Sequence, residues 1–217
     1  MPYPSAPWKL QGYAFVALQL IDIDLVRPLI PSELEIVSVW PGKTIGGVYL
    51  STYESGSVLE YNELIVVAGF VSHRGKFGGW VSHIYVDNLD SVAGGREIWG
   101  LPKELAEFSW EQKCVTVRQS NQLLCSLNYN RQDFGWRQQL AASAFGVLGS
   151  DLLLFKSDFE SQFGIVSAKL AVPAESPFAN LNLGQPLLTV HCDRLSLTVA
   201  APEVVGQIAD SMYRRTS

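Results

Sequence analysis

Three cysteines and three histidines are all the thiol and imidazole that 217 residues carry. Cys114, Cys125 and Cys192 stand far apart, with no Cys-x-x-Cys pair and no histidine at ligand spacing, so no zinc site is written here. They read as reduced core residues. His73, His83 and His191 each end or sit inside an apolar, β-like run, where a satisfied structural histidine is the expectation. Neither a metal nor a cofactor is expected. Charge is also scarce, at 17% of residues with a net −5, and the basic residues are scattered. That leaves no electrostatic footprint for a phosphate backbone, and nucleic acid is excluded as a partner. The longest apolar runs, such as 64–71, fall far short of the ~20 residues that span a bilayer. The N-terminus lacks a basic-then-apolar signal pattern, so a cytoplasmic protein without a membrane span is the expectation.

Hydrophobic residues, in contrast, make up 47% of the chain, enough for a well-buried core, and no shift in composition divides it. One domain over 1–217 is expected. Short runs rich in Val, Ile, Leu, Tyr and Thr, punctuated by Gly, Pro, Asn and Ser, read as strands. They fall at 13–20, 34–39, 45–52, 63–72, 80–86, 106–112, 114–118, 123–130, 164–172 and 187–197. Gly146 to Gly149 reads as a turn into a further strand at 151–155. Helices are fewer: one short helix at 24–30 stopped by Pro31, and a second capped by Asn88 and running from Asp90 towards Trp99. Gly94 and Gly95 weaken that helix by ~1 kcal/mol each relative to alanine, so close packing against another backbone is expected there. No repeat recurs. Many strands and few helices suit a sandwich or closed barrel.

One stretch carries chemistry. From Gly94 to Lys103 the chain reads Gly-Gly-Arg-Glu-Ile-Trp-Gly-Leu-Pro-Lys, crowding glycines, a proline, an ion-pair couple and aromatics around one lysine. Trp99, Leu101 and Pro102 offer apolar surface that disfavours an ammonium, and a neutral amine is what Schiff-base chemistry requires. On residue types alone, Lys103 reads first as one of 16 basic side chains, most of them solvated, in an ordinary turn.

Gly-Arg-Glu-x-x-Gly-x-Pro-Lys resembles the signature of the acetoacetate decarboxylase family, in which the lysine after proline forms the Schiff base. The resemblance takes in Pro7-Trp8, Ile30-Pro31-x-x-Leu34, Gly46-Gly47, Tyr61-Asn62-Glu63-Leu64 and Tyr85-Val86-Asp87-Asn88. It is nearest to a branch that includes the neoxanthin-deficiency proteins of photosynthetic organisms. Activation of the lysine is the family's property and comes with the resemblance. The resemblance implies an α+β, mainly β fold: a cone-like antiparallel β-barrel with flanking sheet and few helices, the lysine pointing inward, and a homo-oligomer. It implies Lys103 and Glu63 as catalytic residues, Glu63 moving protons, with Tyr61, Trp99 and Pro102 binding substrate. Glu54 and Glu60 compete with Glu63 from weaker context. Arg96 and Glu97 read as an ion pair fixing the helix, and Asp87 and Asn88 as a strand end and helix cap.

Three positions depart from the family's pattern: the first bears on the amine without excluding it, and the other two bear on substrate. The decarboxylase has a second lysine after the first, where this chain has Glu104. Its first-strand arginine, which meets a substrate carboxylate, falls on Leu10-Gln11-Gly12-Tyr13, and its second glutamate falls in the apolar region around Val48. These losses argue against acetoacetate. Two functions are left: a Schiff-base lyase acting on a carbonyl compound through Lys103, or a non-catalytic barrel for an apolar, isoprenoid- or carotenoid-related ligand. Removing Lys103 is expected to cost folding little.

Overall fold

Runs of β-branched and aromatic residues between turn formers become fourteen strands in the computed structural model, which describes residues 3–130 and 135–209. The chain opens with Trp8–Asp22 (β1) and a helical turn, Ile23–Val26 (α1). Glu35–Ile36 (β2), Lys43–Tyr53 (β3), Tyr61–His73 (β4) and Lys76–Val86 (β5) follow, then the helix Leu89–Trp99 (α2). Next come Lys103–Leu105 (β6), Glu107–Glu111 (β7), Cys114–Gln119 (β8) and Gln122–Tyr129 (β9). The hairpin Trp136–Leu148 (β10) and Asp151–Ile165 (β11), then Ala168–Ala171 (β12), Leu188–Val199 (β13) and Glu203–Gln207 (β14), complete the order.

Seven strands close a ring in the order β1, β3, β4, β5, β10, β11, β13 and back to β1. Its pairings are antiparallel except for β5 with β10, and β6 adds to β5 in parallel. A second sheet, β12-β9-β8-β7, covers one side of the ring. This makes the wall formed by β1, β3 and β4 buried on both faces. One face turns Trp8, Leu10, Ala14, Tyr53 and Tyr61 inward. The other packs Phe15, Val48, Leu50, Leu64 and Val66 against Val115, Val117, Leu124 and Leu127 of the second sheet. The unbroken apolar run of β4 follows from that double burial, and no residue of β4 is exposed. Phe15 against Tyr129, with ring centroids 4.0 Å apart, and Tyr13 against Trp110 at 5.2 Å tie the two sheets together.

Some expected elements change. The helix at 24–30 is only one α-turn, and Pro28 then holds Arg27–Leu29 in a 3-10 turn whose carbonyl-rich exit is satisfied by the Arg27 guanidinium. The strand at 34–39 shrinks to β2. The strand at 164–172 is two strands in different sheets, since β11 ends at Ile165 and β12 begins at Ala168. The turn after Gly146 is real, at Gly149-Ser150, but it joins two long strands, β10 and β11.

Buried His191 stacks on Phe15 at 4.6 Å, and His73 Nδ1 lies 2.9 Å from the carbonyl of Glu33. Cys125 and Cys192 are buried, and desolvation pushes each thiol up to about 12. Among the described residues no helix is long and apolar enough to cross a membrane.

Candidate active site

Helix α2 sets the position of Lys103. Asn88 caps it by accepting from the Ser91 amide at 3.0 Å. At its other end Gly100 takes the left-handed conformation, φ 63°, against the backbone of Val147, where a Cβ would come within 2.4 Å. Pro102 cannot extend the helix, and Lys103 starts β6 opposite Ile84 of β5. The Arg96 guanidinium reaches back to the Lys103 carbonyl at 2.8 Å. Glu97 accepts from the Tyr3 hydroxyl instead of pairing with Arg96, so the expected ion pair is two separate ties of α2 to its neighbours.

The glycine pair has a cause that differs from the expected close approach of backbones. A Cβ on Gly95 would lie 2.4 Å from Cδ of Lys103, and one on Gly94 would lie 2.5 Å from the Trp8 ring. The two glycines make room for a lysine stem and an indole.

The amine ends in a hydrogen-bonded group. Nζ of Lys103 donates to Glu63 Oε1 at 2.7 Å and to Ser91 Oγ at 3.0 Å, with both charged residues almost fully buried. The Tyr53 hydroxyl donates to Glu63 Oε2 at 3.2 Å and lies 3.0 Å from the Tyr49 hydroxyl. Nζ also sits 5.0 Å from the Tyr61 ring centroid and 5.6 Å from that of Trp8. Desolvation first pushes the hydroxyls of Tyr49, Tyr53 and Tyr61 upward, and the Glu63 charge adds to each, behind Tyr49 in the case of Tyr53. They stay protonated, and that of Tyr53 donates to Glu63.

These groups close one end of a cavity of about 740 Å³ inside the ring. Its walls are mostly apolar, including Ile65, Val67, Val81, Phe155, Phe159 and Phe163. Among the described residues its only charged lining groups are Lys103 and Glu63. Tyr61 and Trp99 line it too, whereas Pro102 does not and acts through the bend. Glu54 and Glu60 are exposed and away from it. Glu104 is turned to the opposite face of β6, where Gln119 Nε2 donates to it at 3.1 Å. Asp87 accepts from the Asn62 amide at 2.7 Å, a strand-end tie as expected. Leu10 lines the cavity on the stretch that matches the family's arginine, and Val48, in the region of its second glutamate, packs towards the second sheet. Ser91, Tyr49, Tyr53 and Trp8 are site residues that sequence reasoning missed. The spacing of Tyr49 and Tyr53, an even number apart on one strand, was the available signal that they share a face.

Residues 1–142 match the sequence model of the acetoacetate decarboxylase family. The protein NEOXANTHIN-DEFICIENT 1 of Solanum lycopersicum is 32% identical over 107 residues, 49% of this chain and 36% of that protein. An acetoacetate decarboxylase of Burkholderia mallei is 30% identical over 121 residues, 49% of this chain and 44% of that protein. The chain thus spans less than half the length of either relative. Among solved structures, acetoacetate decarboxylase from Legionella pneumophila superposes with a TM-score of 0.74 at 18% identity, covering 95% of this chain and 90% of that one. The enduracididine biosynthesis enzyme MppR, complexed with the condensation product of pyruvate and imidazole 4-carboxaldehyde, gives 0.67 at 14% identity, covering 94% and 90%.

Proposed function

The chain belongs to the acetoacetate decarboxylase family, and from that premise we propose that it is a lysine Schiff-base lyase whose catalytic residues are Lys103 and Glu63. The observation that supports this most is the 2.7 Å contact between a buried amine and a buried carboxylate at the sealed end of an apolar cavity. An imine forms from the neutral amine, and Glu63 is the acceptor within reach of the ammonium's proton. The amine nitrogen bonds to the substrate carbonyl carbon, and the carbonyl oxygen leaves as water after taking up two protons, one returned by Glu63. The iminium then draws electrons from the neighbouring bond, which breaks by loss of a proton or of a carbon fragment. Tyr61 and Trp99 hold the substrate against the amine, and no cofactor enters the chemistry.

Borohydride reduction in the presence of a panel of aldehydes and ketones tests this. Peptide mass spectrometry is expected to find the reduced adduct on Lys103, none in Lys103→Met, and adduct formation slowed by ~10²-fold in Glu63→Gln. Absence of any adduct across the panel overturns the lyase reading.

A second reading has its own support. The NEOXANTHIN-DEFICIENT 1 relatives bear a carotenoid in their name, and the cavity is lined mainly by apolar side chains. Under it the barrel holds an apolar, isoprenoid- or carotenoid-related ligand without turnover, and Lys103→Met binds as well as the wild type. With either reading we take 1–217 as one domain, supported by the core that both sheets share, in a cytoplasmic homo-oligomer, supported by the exposed Trp40, Trp136 and Leu187. Light scattering on the eluting protein tests the oligomer.

A further inference from the structure

The ring is not equally closed on the two flanks of β5. Towards β4 the pairing runs from Val86 opposite Glu63 to Lys76 opposite His73. On the other flank, among the described residues, β10 meets it only at Gly79 and Trp80, and β6 only at Ile84, Tyr85 and Val86. Strand β10 continues from Ser143 back to Trp136, paired with β11 throughout, and over that length it has no partner on its β5 side among the described residues.

Phe77 stands on one side of this split, and Leu140, Ala141 and Ala142 stand on the other. All four line the cavity that ends at Lys103. Phe77 is 52% and Leu140 56% exposed, so the same side chains touch solvent and cavity. The cavity therefore opens here, through an apolar portal. At the far end Lys103, Glu63, Tyr61, Trp99 and Trp8 are all 5% exposed or less. A substrate carboxylate inside would need a cation to offset its desolvation, and the one lysine is already paired with Glu63.

We propose that the cavity takes an uncharged ketone or aldehyde with an apolar tail, its carbonyl at Lys103 and its tail leaving the barrel between β5 and β10. The position of the carbonyl rests on the Schiff-base reading. The tail rests on the portal and the lining alone. Each methylene that passes from water into such a wall strengthens binding by about fourfold, the equivalent of ~0.8 kcal/mol.

The test uses methyl ketones of increasing length, butanone to dodecanone, with acetoacetate as the anionic comparison. Equilibrium binding and borohydride adducts are both measured on wild type, Phe77→Ser and Leu140→Gln. Affinity is expected to climb by about fourfold per methylene, and each variant is expected to shrink the dodecanone-to-butanone ratio by tenfold or more. Flat affinity along the series, or a ratio unmoved in both variants, overturns the tail. Acetoacetate binding as tightly as dodecanone overturns the uncharged head. Length-dependent binding with no adduct on Lys103 overturns the Schiff-base reading and leaves the tail standing.

Discussion

At one end of the cavity Lys103, Glu63, Tyr53 and Tyr49 are joined by contacts of 2.7, 3.2 and 3.0 Å, and Lys103, Glu63 and Tyr53 lie buried beside the rings of Trp8, Tyr61 and Trp99. At the other end Phe77 and Leu140 stand half in solvent, and two strands part. The first end is polar and dry, the second apolar and wet. Each is the costly arrangement for its side-chain type, which is what a site for an amphipathic small molecule requires: polar groups freed of water to meet a functional group, and apolar groups left uncovered to meet a chain.

Glu63→Ala breaks the comparison hardest. It strands a buried ammonium without its counter-charge and is expected to cost about 3–5 kcal/mol in urea unfolding, while Glu63→Leu combined with Lys103→Met recovers most of it. Leu140→Gln at the open end is expected to stay within about 0.5 kcal/mol. A loss under about 1 kcal/mol for Glu63→Ala would mean that the polar end is not dry. The same pairing argues against the expectation that Lys103 can be removed at little cost, because Lys103→Ala leaves Glu63 buried without its partner.

Alkali probes the same end without mutation. Burial raises the Tyr53 and Tyr61 hydroxyls above their ordinary value, so the folded protein keeps protons that the unfolded chain releases above pH about 10. Their contribution is fully present below that pH and falls away above it, by up to about 1.4 kcal/mol per pH unit for each group. These two hydroxyls are expected to account for roughly 2–3 kcal/mol of the stability lost in urea unfolding between pH about 9 and about 11, on top of the loss from Tyr49, Cys125 and Cys192, which burial also raises. Tyrosinate absorbance that appears before unfolding would show that water reaches the hydroxyls.

Gly95→Ala sharpens the contrast between fold and site. Alanine favours the helix by about 1 kcal/mol, but its Cβ would lie 2.4 Å from the Lys103 stem, where overpacking costs about 1–3 kcal/mol. A net loss near 1 kcal/mol is expected, with adduct formation at Lys103 falling tenfold or more because the amine is pushed off Glu63. Gly184→Ala, with nothing within 4 Å of its Cβ, is expected to change neither.

What the sequence disclosed and what it hid follow from the same physics. Glu63 and Lys103 stand 40 residues apart and meet at 2.7 Å, a contact that motif resemblance anticipated and no local pattern encodes. Double burial made β4 legible as an apolar run. Strand β10 was not, because Trp136 to Ala142 are all exposed, so neither face of the strand carries the period-two alternation that marks a half-buried one. The portal lies on that same stretch. Ser91 was hidden for a different reason: a helix side chain has no sequence signal for the lysine it meets, and only the Gly95 gap on the same helix hinted that something lay across it.

Tyr53→Phe is expected to have the smallest effect and tests whether the polar end acts as a unit. The ring is 2% exposed and phenylalanine fills the same volume, so packing is conserved and only the hydroxyl goes. Glu63 then keeps Lys103 on Oε1 and loses its donor on Oε2. Leaving one buried acceptor short of a partner costs about 1 kcal/mol, which lowers the melting temperature of a chain this size by about 2–4 °C. Tyr49, which lines the cavity, can turn its hydroxyl to a ligand instead. A purely structural Tyr53 would change the melting temperature alone. If it positions Glu63 for proton transfer, the pH profile of adduct formation at Lys103 changes as well, because the carboxylate that takes the proton has lost one of its two partners. A profile that superposes on the wild type, with only the melting temperature lowered, would reduce Tyr53 to packing and leave Glu63 to act with Lys103 alone.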